Sequence, residues 1–348
     1  MRTLILAAGK FGPPLADEIK AGREPRLDVF ELQAALQADL LDFRDVDAAR
    51  SPLMQAARKT LSPSAALALL GASVSDKYDA VLTTGEDIGI PYATRMLASS
   101  KAPAHTLIAH TLTPWKKRIF FHALGVQKRI QRVLVYATSE ENHAVNVLGL
   151  PRESVRRIAY HADSKFFSPS SEKPEPDLVC SAGQLLRDYD SLVAAARDQP
   201  MRVSIAAGSP WISQTMNPSS ALPSNVTWGR YSRFELRALY ARSAVAVVPI
   251  LENDYQTGIS TILEMMAMGK CLVVTRTRGQ TDTIVDGKTG FYVPPGDVTA
   301  LRTAIQRMLD NPDEAARIGA AAREYIEREA TLELFVDRIV ETVRGSNG

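Results

Sequence analysis

The run of residues best suited to chemistry is 256–264, QTGISTILE, in a chain of 348 residues. A loop ends at Gly258, and the apolar pattern after it predicts a helix over 260–268. A helix start presents unpaired N–H groups and the positive end of its dipole, which suits a phosphate. Ile259 sits in the turn, and Ser260 and Thr261 add hydroxyl donors. Glu264 lies about one turn further on, within reach of a group beside that phosphate such as a ribose diol. The same residues also describe a capped helix carrying an exposed glutamate, so local physics leaves two readings open.

Other candidates are scattered along the chain. In AAGKFGPP (7–14), Gly9 and Gly12 are spaced G-x-x-G rather than G-x-G-x-x-G, so a dinucleotide fingerprint is absent. A plain tight turn is the competing reading of that loop. His110 ends the run TLIAH, where ligands lie outside the carboxyl ends of parallel strands, or else is structural. Glu86 and Asp87 close another strand and face either an acceptor or solvent. Asp45 with Asp47, and Asp188 with Asp190, are spaced D-x-D, but the five histidines show no ligand spacing and no metal site is expected.

Short apolar runs at 3–7, 80–84, 106–110, 132–137 and 156–160 predict a first series of strands. A second series is predicted at 177–182, 201–207, 226–228, 245–249, 270–275 and 290–293. Their near-continuous Val, Ile, Leu and Ala fits strands covered on both faces, as in parallel sheets. Helical patterns lie between them, at 191–197, 233–242 and 298–309 among others, so the class is α/β. The Pro- and Ser-rich stretch 166–176 reads as a linker between domains 1–165 and 177–329. The stripe Leu332, Phe335, Val336, Ile339 and Val343 predicts a helix in the tail 330–348.

Hydrophobic residues at 45% and charged residues at 23% exclude wholesale disorder. A net charge of +2 and a pI near 8.5 exclude a dedicated nucleic-acid binder. Cys180 and Cys271 cannot form a disulfide scaffold and read as reduced core residues. No apolar run approaches the roughly 18 residues of a membrane span. The apolar start 4–8 is shorter than the roughly 7–15 residues of a signal peptide core. A cytoplasmic enzyme is expected, with any membrane role peripheral and at the inner face. One stretch points that way: between Asp87 and Glu140 there is no acid, while eight basic residues occur. Within it Lys116, Lys117, Arg118 and Lys128 are interleaved with Trp115, Ile119, Phe120 and Phe121. That pattern describes either a solvated face or a surface helix docking on anionic lipid.

The run 256–264, the AMG at 267–269, Gly279 and DGKTGFYVPPGD at 286–297 together resemble glycosyltransferase family 4. So does the upstream segment WGRYSRFELRALYARSAVAVVP at 228–249. The resemblance is strong over roughly 177–327 and weaker before it. It implies the GT-B fold, two Rossmann-like domains facing each other across a cleft, with the last helix returning to the N-terminal domain. It further implies a retaining, metal-independent hexosyltransferase that needs no cofactor beyond its donor substrate. A UDP-sugar, UDP-glucose first, is expected ahead of a GDP-sugar, and the acceptor is a saccharide or a lipid-linked sugar. In the resemblance Glu264 binds the ribose, Arg187 holds the diphosphate where the family has lysine, and Gly183 opens the phosphate loop. Gly229 and Arg230 match the family's glycine loop on the donor side, Gly12 approaches the donor phosphates, and His110 lies near the sugar. His161, in YHAD, matches the segment before the linker. The pattern departs from the family at the first acid of E-x7-E, which is Gln256, and at the family's loop arginine, which is Gln184. An amide cannot stabilise a developing oxocarbenium as a carboxylate does. Two rivals therefore stand beside a transferase: a nucleotide-sugar epimerase and a weakly catalytic nucleotide-sugar-binding partner subunit.

Overall fold

The computed structural model describes residues 1–171, 173–208, 217–218 and 221–345. Residue 172 of the expected linker and residues 346–348 of the expected tail helix lie outside the described residues. The chain divides into two compact units. Unit 1 comprises Met1–Asp17, Arg26–Ala159 and Glu333–Gly348, and unit 2 comprises Glu18–Pro25 and Tyr160–Leu332.

Unit 1 holds six parallel strands: β1 (Thr3–Leu6), β2 (Asp39–Leu41), β3 (Ala80–Thr83), β4 (Ala104–Ile108), β5 (Arg132–Val135) and β6 (Val155–Arg157). They are ordered β2-β1-β3-β4-β5-β6. β1, β3 and most of β4 are buried residue by residue, and helices cover both faces of the sheet. This is why their sequences run apolar without alternation. β2 escaped the sequence reading because it is a three-residue, partly exposed edge strand. β4 starts and ends two residues earlier than expected, so His110 stands in the loop beyond it. The final helix, Leu332–Gly345, is anchored to unit 1 from Glu333 onward. Glu333 pairs with Arg26 at 2.9 Å and Glu341 with Arg156 at 2.8 Å.

Unit 2 holds β7 (Glu175–Ala182), β8 (Arg202–Ala206), β9 (Val226–Gly229), β10 (Ser243–Val248), β11 (Cys271–Thr275) and β12 (Phe291–Val293). All are parallel, in the order β12-β11-β10-β7-β8-β9. Counted within the unit, that is the Rossmann order, whose direction reverses between β7 and β10. Its helices begin where their sequences say they should. Ser232 and Glu235 form a capping box on helix Arg233–Arg242, and Asp188 and Asp297 cap helices Tyr189–Ala196 and Val298–Asp310. Cys180 and Cys271 are free and buried in β7 and β11.

Of the stretch expected as an interdomain linker, Phe166 and Phe167 pack into unit 2, while the described residues 168–171, 173 and 174 are exposed. The chain passes between units at Ala159–Tyr160, and Phe166 and Phe167 are buried within unit 2. Phe167 lies 6.2 Å from the Tyr240 ring, and the Arg237 guanidinium covers Phe166 at 4.6 Å. The passage between units therefore precedes the proline-rich stretch, which belongs wholly to unit 2.

Candidate functional site

In unit 2 the reversal between β7 and β10 brings two loops together. The loop after β7 carries Gly183 and Arg187, and the loop after β10 runs from Ile250 to Gly258. Arg187 and Ile250 form an antiparallel bridge between them. The Thr275 hydroxyl, at the end of β11, accepts the Ile250 N–H at 3.1 Å. The Arg187 side chain is folded into this corner, and the residue is only 5% exposed. Nε donates to the Ala182 carbonyl at 3.0 Å, Nη1 to the Leu185 carbonyl at 2.8 Å and Nη2 to the Thr261 hydroxyl at 3.3 Å. Two glycines make the room. Gly183 has φ +102°, and a Cβ there would stand 2.3 Å from Nη2. Gly258 has φ +83°, and its Cβ would press on both terminal nitrogens at 3.3 Å. No carboxylate among the described residues pairs with Arg187, and burial pulls its pKa down.

Gly258 also opens the helix Ile259–Ala267, which has no side-chain N-cap. Its first amides therefore stay available beside the guanidinium, with Ser260 exposed and Thr261 turned inward to Arg187. The loop before it is pinned from within. The Asn253 Oδ1 accepts from the Tyr255 N–H and from the Thr257 hydroxyl, each at 3.1 Å. Gln280 donates to the Thr257 carbonyl at 3.1 Å. Gln256 donates through Nε2 to the Thr283 hydroxyl at 3.2 Å. Its Oε1 is buried and has no hydrogen-bond partner among the described residues.

Glu264, expected from the resemblance to bind the ribose, is 8% exposed and already partnered. Its Oε1 accepts from Arg233 Nη1 at 3.0 Å and its Oε2 from the Tyr240 hydroxyl at 3.4 Å. Burial pushes its pKa up, and Arg233 and Tyr240 oppose that rise. Sequence reasoning missed Arg233. The signal was its spacing, two helical turns before Tyr240, which puts both on one face of helix Arg233–Arg242. Gly229 ends β9, and Arg230 is exposed with its stem near Gly208. Asp188 is spent as a helix cap, and Asp45 completes a capping box with Asp42, so neither D-x-D pair stands free.

Unit 1 has its own cluster, beyond the ends of β3 and β4. Gly12 caps the helix Pro13–Lys20 through its carbonyl, and the Phe11 N–H is held by buried Asp42 at 2.8 Å. His110 is exposed, donates its N–H to Glu86 Oε2 at 2.8 Å and sets Nε2 3.0 Å from the Thr84 carbonyl. Glu86, read from sequence as facing either an acceptor or solvent, is buried and paired with Lys117 at 2.8 Å. Burial raises its pKa, but Lys117 and His110 outweigh that and hold it low. Lys117 also donates to the Thr111 carbonyl. Glu140 is buried too and accepts the Leu112 N–H at 2.6 Å. Burial pushes its pKa to about 6, helped by repulsion from Glu86. Two carboxylates and one lysine thus clamp the loop that displays His110. Asp87 stays exposed. His161 stands beside Tyr160 in unit 2, ring to ring at 4.7 Å.

Residues 182–311 match the family model for glycosyl transferases group 1, a span that contains Gly183, Arg187, Gln256 and Glu264. A glycogen synthase of Mycobacterium tuberculosis is 34% identical over 98 residues, covering 28% of this chain and 23% of that enzyme. The chain spans less than half the length of the first curated relatives it matches. Among solved structures, sucrose-phosphate synthase from Thermosynechococcus elongatus superposes with a TM-score of 0.72 at 18% identity, covering 99% of each chain. HepE from Anabaena, solved with UDP-glucose, gives 0.70 at 14% identity over 98% of this chain and 99% of that one. The fold is accordingly the α/β GT-B fold, built here from two Rossmann-like units.

Proposed function

We propose that the chain is a GT-B glycosyltransferase of the family 4 type. It moves a hexose from a nucleotide sugar to a saccharide or lipid-linked acceptor with retention of anomeric configuration. The observation that carries this reading is the buried Arg187 guanidinium, unpaired by any described carboxylate, beside an uncapped helix start at a topological switch point. A diphosphate supplies the negative charge that this corner lacks. As the bond from the sugar to the diphosphate breaks, charge grows on the leaving phosphate, and Arg187 with the amides at Ile259–Thr261 stabilises it in place of a metal. Glu264 takes the ribose by sharing its oxygens with Arg233. His110, its N–H held by Glu86, is the sugar-side residue that the family resemblance implies. UDP is the first choice of donor nucleotide and GDP the second.

Gln256 supports a second reading, a nucleotide-sugar-binding partner subunit, because its amide is tied to Thr283 and it brings no charge to the sugar. Incubation with a panel of UDP- and GDP-sugars, with and without saccharide acceptors, separates the two. Donor-dependent transfer with an α-linked product supports the transferase. Tight donor binding with neither transfer nor hydrolysis supports the subunit, and donor epimerisation without an acceptor refutes both.

A further inference from the structure

We propose that unit 1 docks on an anionic lipid surface through the helix Trp115–Ile119, its π-helical continuation Phe120–Leu124 and the groove beside them. This inference does not rest on the transferase reading. A soluble helix normally buries its apolar side chains, and this one does the reverse. Trp115 is 66% exposed, Ile119 51% and Leu124 46%, while Phe121 alone is buried. Trp115 and Ile119, four residues apart, share the middle of the exposed face. Lys116 and Arg118 flank that pair on either side by helical geometry, and both are exposed. Neither pairs with a carboxylate among the described residues, nor do Arg95 and Lys128, which are also exposed.

The apolar surface continues past the helix. Phe120 lines a groove of about 450 Å³ together with Leu61, Ala65, Leu69 and Pro91, and Arg95 stands at its edge. Asp87 is the exposed acid nearest in sequence to the acid-free stretch, and Ser64 holds its carboxylate. Apolar residues at the centre with cations at the flanks match the depth profile of a bilayer interface, where rings enter the acyl boundary and ammonium groups reach the headgroups. The geometry also revises the expectation drawn from composition. Lys117 is no lipid ligand, because its ammonium is committed to Glu86 and the Thr111 carbonyl.

The test is co-sedimentation of the full chain with vesicles of phosphatidylcholine alone and of phosphatidylcholine with phosphatidylglycerol. Binding is expected only to the anionic vesicles and should fall as salt rises. Each cation near such a surface strengthens binding about fivefold, so Lys116→Gln with Arg118→Gln should weaken it about 25-fold. Trp115→Ala with Ile119→Ala should weaken it at low salt as well. Tryptophan fluorescence should shift to the blue on binding, and Trp115→Phe should remove that shift. Lys288→Gln with Arg317→Gln removes the same charge from exposed positions of unit 2 and should leave binding unchanged. Equal binding to both vesicles, binding to neither, or equal loss in the two double charge variants would overturn the proposal. Capture by soluble polyglutamate without vesicle binding would overturn it in favour of an acidic protein partner.

Discussion

Arg187→Met tests the donor corner most directly. A guanidinium has five N–H donors, of which three are spent on Ala182, Leu185 and Thr261, leaving two for a ligand. At about 1.5 kcal/mol per charged hydrogen bond, two donors to a diphosphate contribute about 3 kcal/mol, or roughly 150-fold in Kd. The unliganded protein should not suffer in proportion. Methionine relieves a buried charge that no described carboxylate contacts directly, while leaving two carbonyls short of a donor. The variant should therefore unfold within about 2 kcal/mol of wild type. Calorimetric titration with UDP and GDP, paired with urea unfolding without ligand, separates the two effects. Gly183→Ala is the companion variant. Its Cβ would stand 2.3 Å from Nη2, at a φ that favours glycine, so it should displace the guanidinium and lose nucleotide affinity with Arg187 still present. The reasoning fails if Arg187→Met binds UDP within threefold of wild type. It fails equally if the affinity loss is matched by collapse of the unliganded fold.

Three further outcomes follow from the remaining groups. Glu264→Ala strands Arg233 as a buried charge and should cost about 3–5 kcal/mol in chemical denaturation, whereas Glu264→Gln should fold normally and weaken nucleotide binding about tenfold; equal stability of the two variants would count against the pair. Glu140 has an ordinary pKa of 4.5 that burial raises to about 6, so the folded state retains a proton that the unfolded chain releases. Stability should fall as pH rises through that window and level off above it, by about 2 kcal/mol for this group. Glu140→Gln should then match wild type near pH 4 and exceed it near pH 8 in denaturation curves, and a destabilised variant near pH 8 would mean that Lys117 outweighs burial. Gln256→Ala should lower turnover of a nucleotide sugar while leaving UDP affinity within about threefold, because the amide faces Thr283 rather than Arg187 or Glu264; a matching drop in UDP affinity would place Gln256 on the nucleotide.

Wherever burial on both faces dictates composition, the sequence alone was enough. Most strands carry uninterrupted Val, Ile and Leu because helices cover them above and below, and their positions were legible to within about two residues. The helix start after Gly258 was legible too, to within a residue, from the apolar stripe that follows the glycine. Partnerships between distant residues were not legible. Nothing local says that Arg233 will meet Glu264, that Lys117 will turn from the surface to Glu86, or that Gln256 will tie itself to Thr283. Those pairings arise because strand order sets loops far apart in the chain side by side, and a buried charge then takes the nearest opposite charge the fold supplies. Composition likewise placed the linker at 166–176, and only the packing of Phe166 and Phe167 into unit 2 showed that the chain passes between units earlier, at Ala159–Tyr160. Sequence thus marked the loops that carry the candidate residues, and tertiary structure decided which of their side chains keep uncommitted donors.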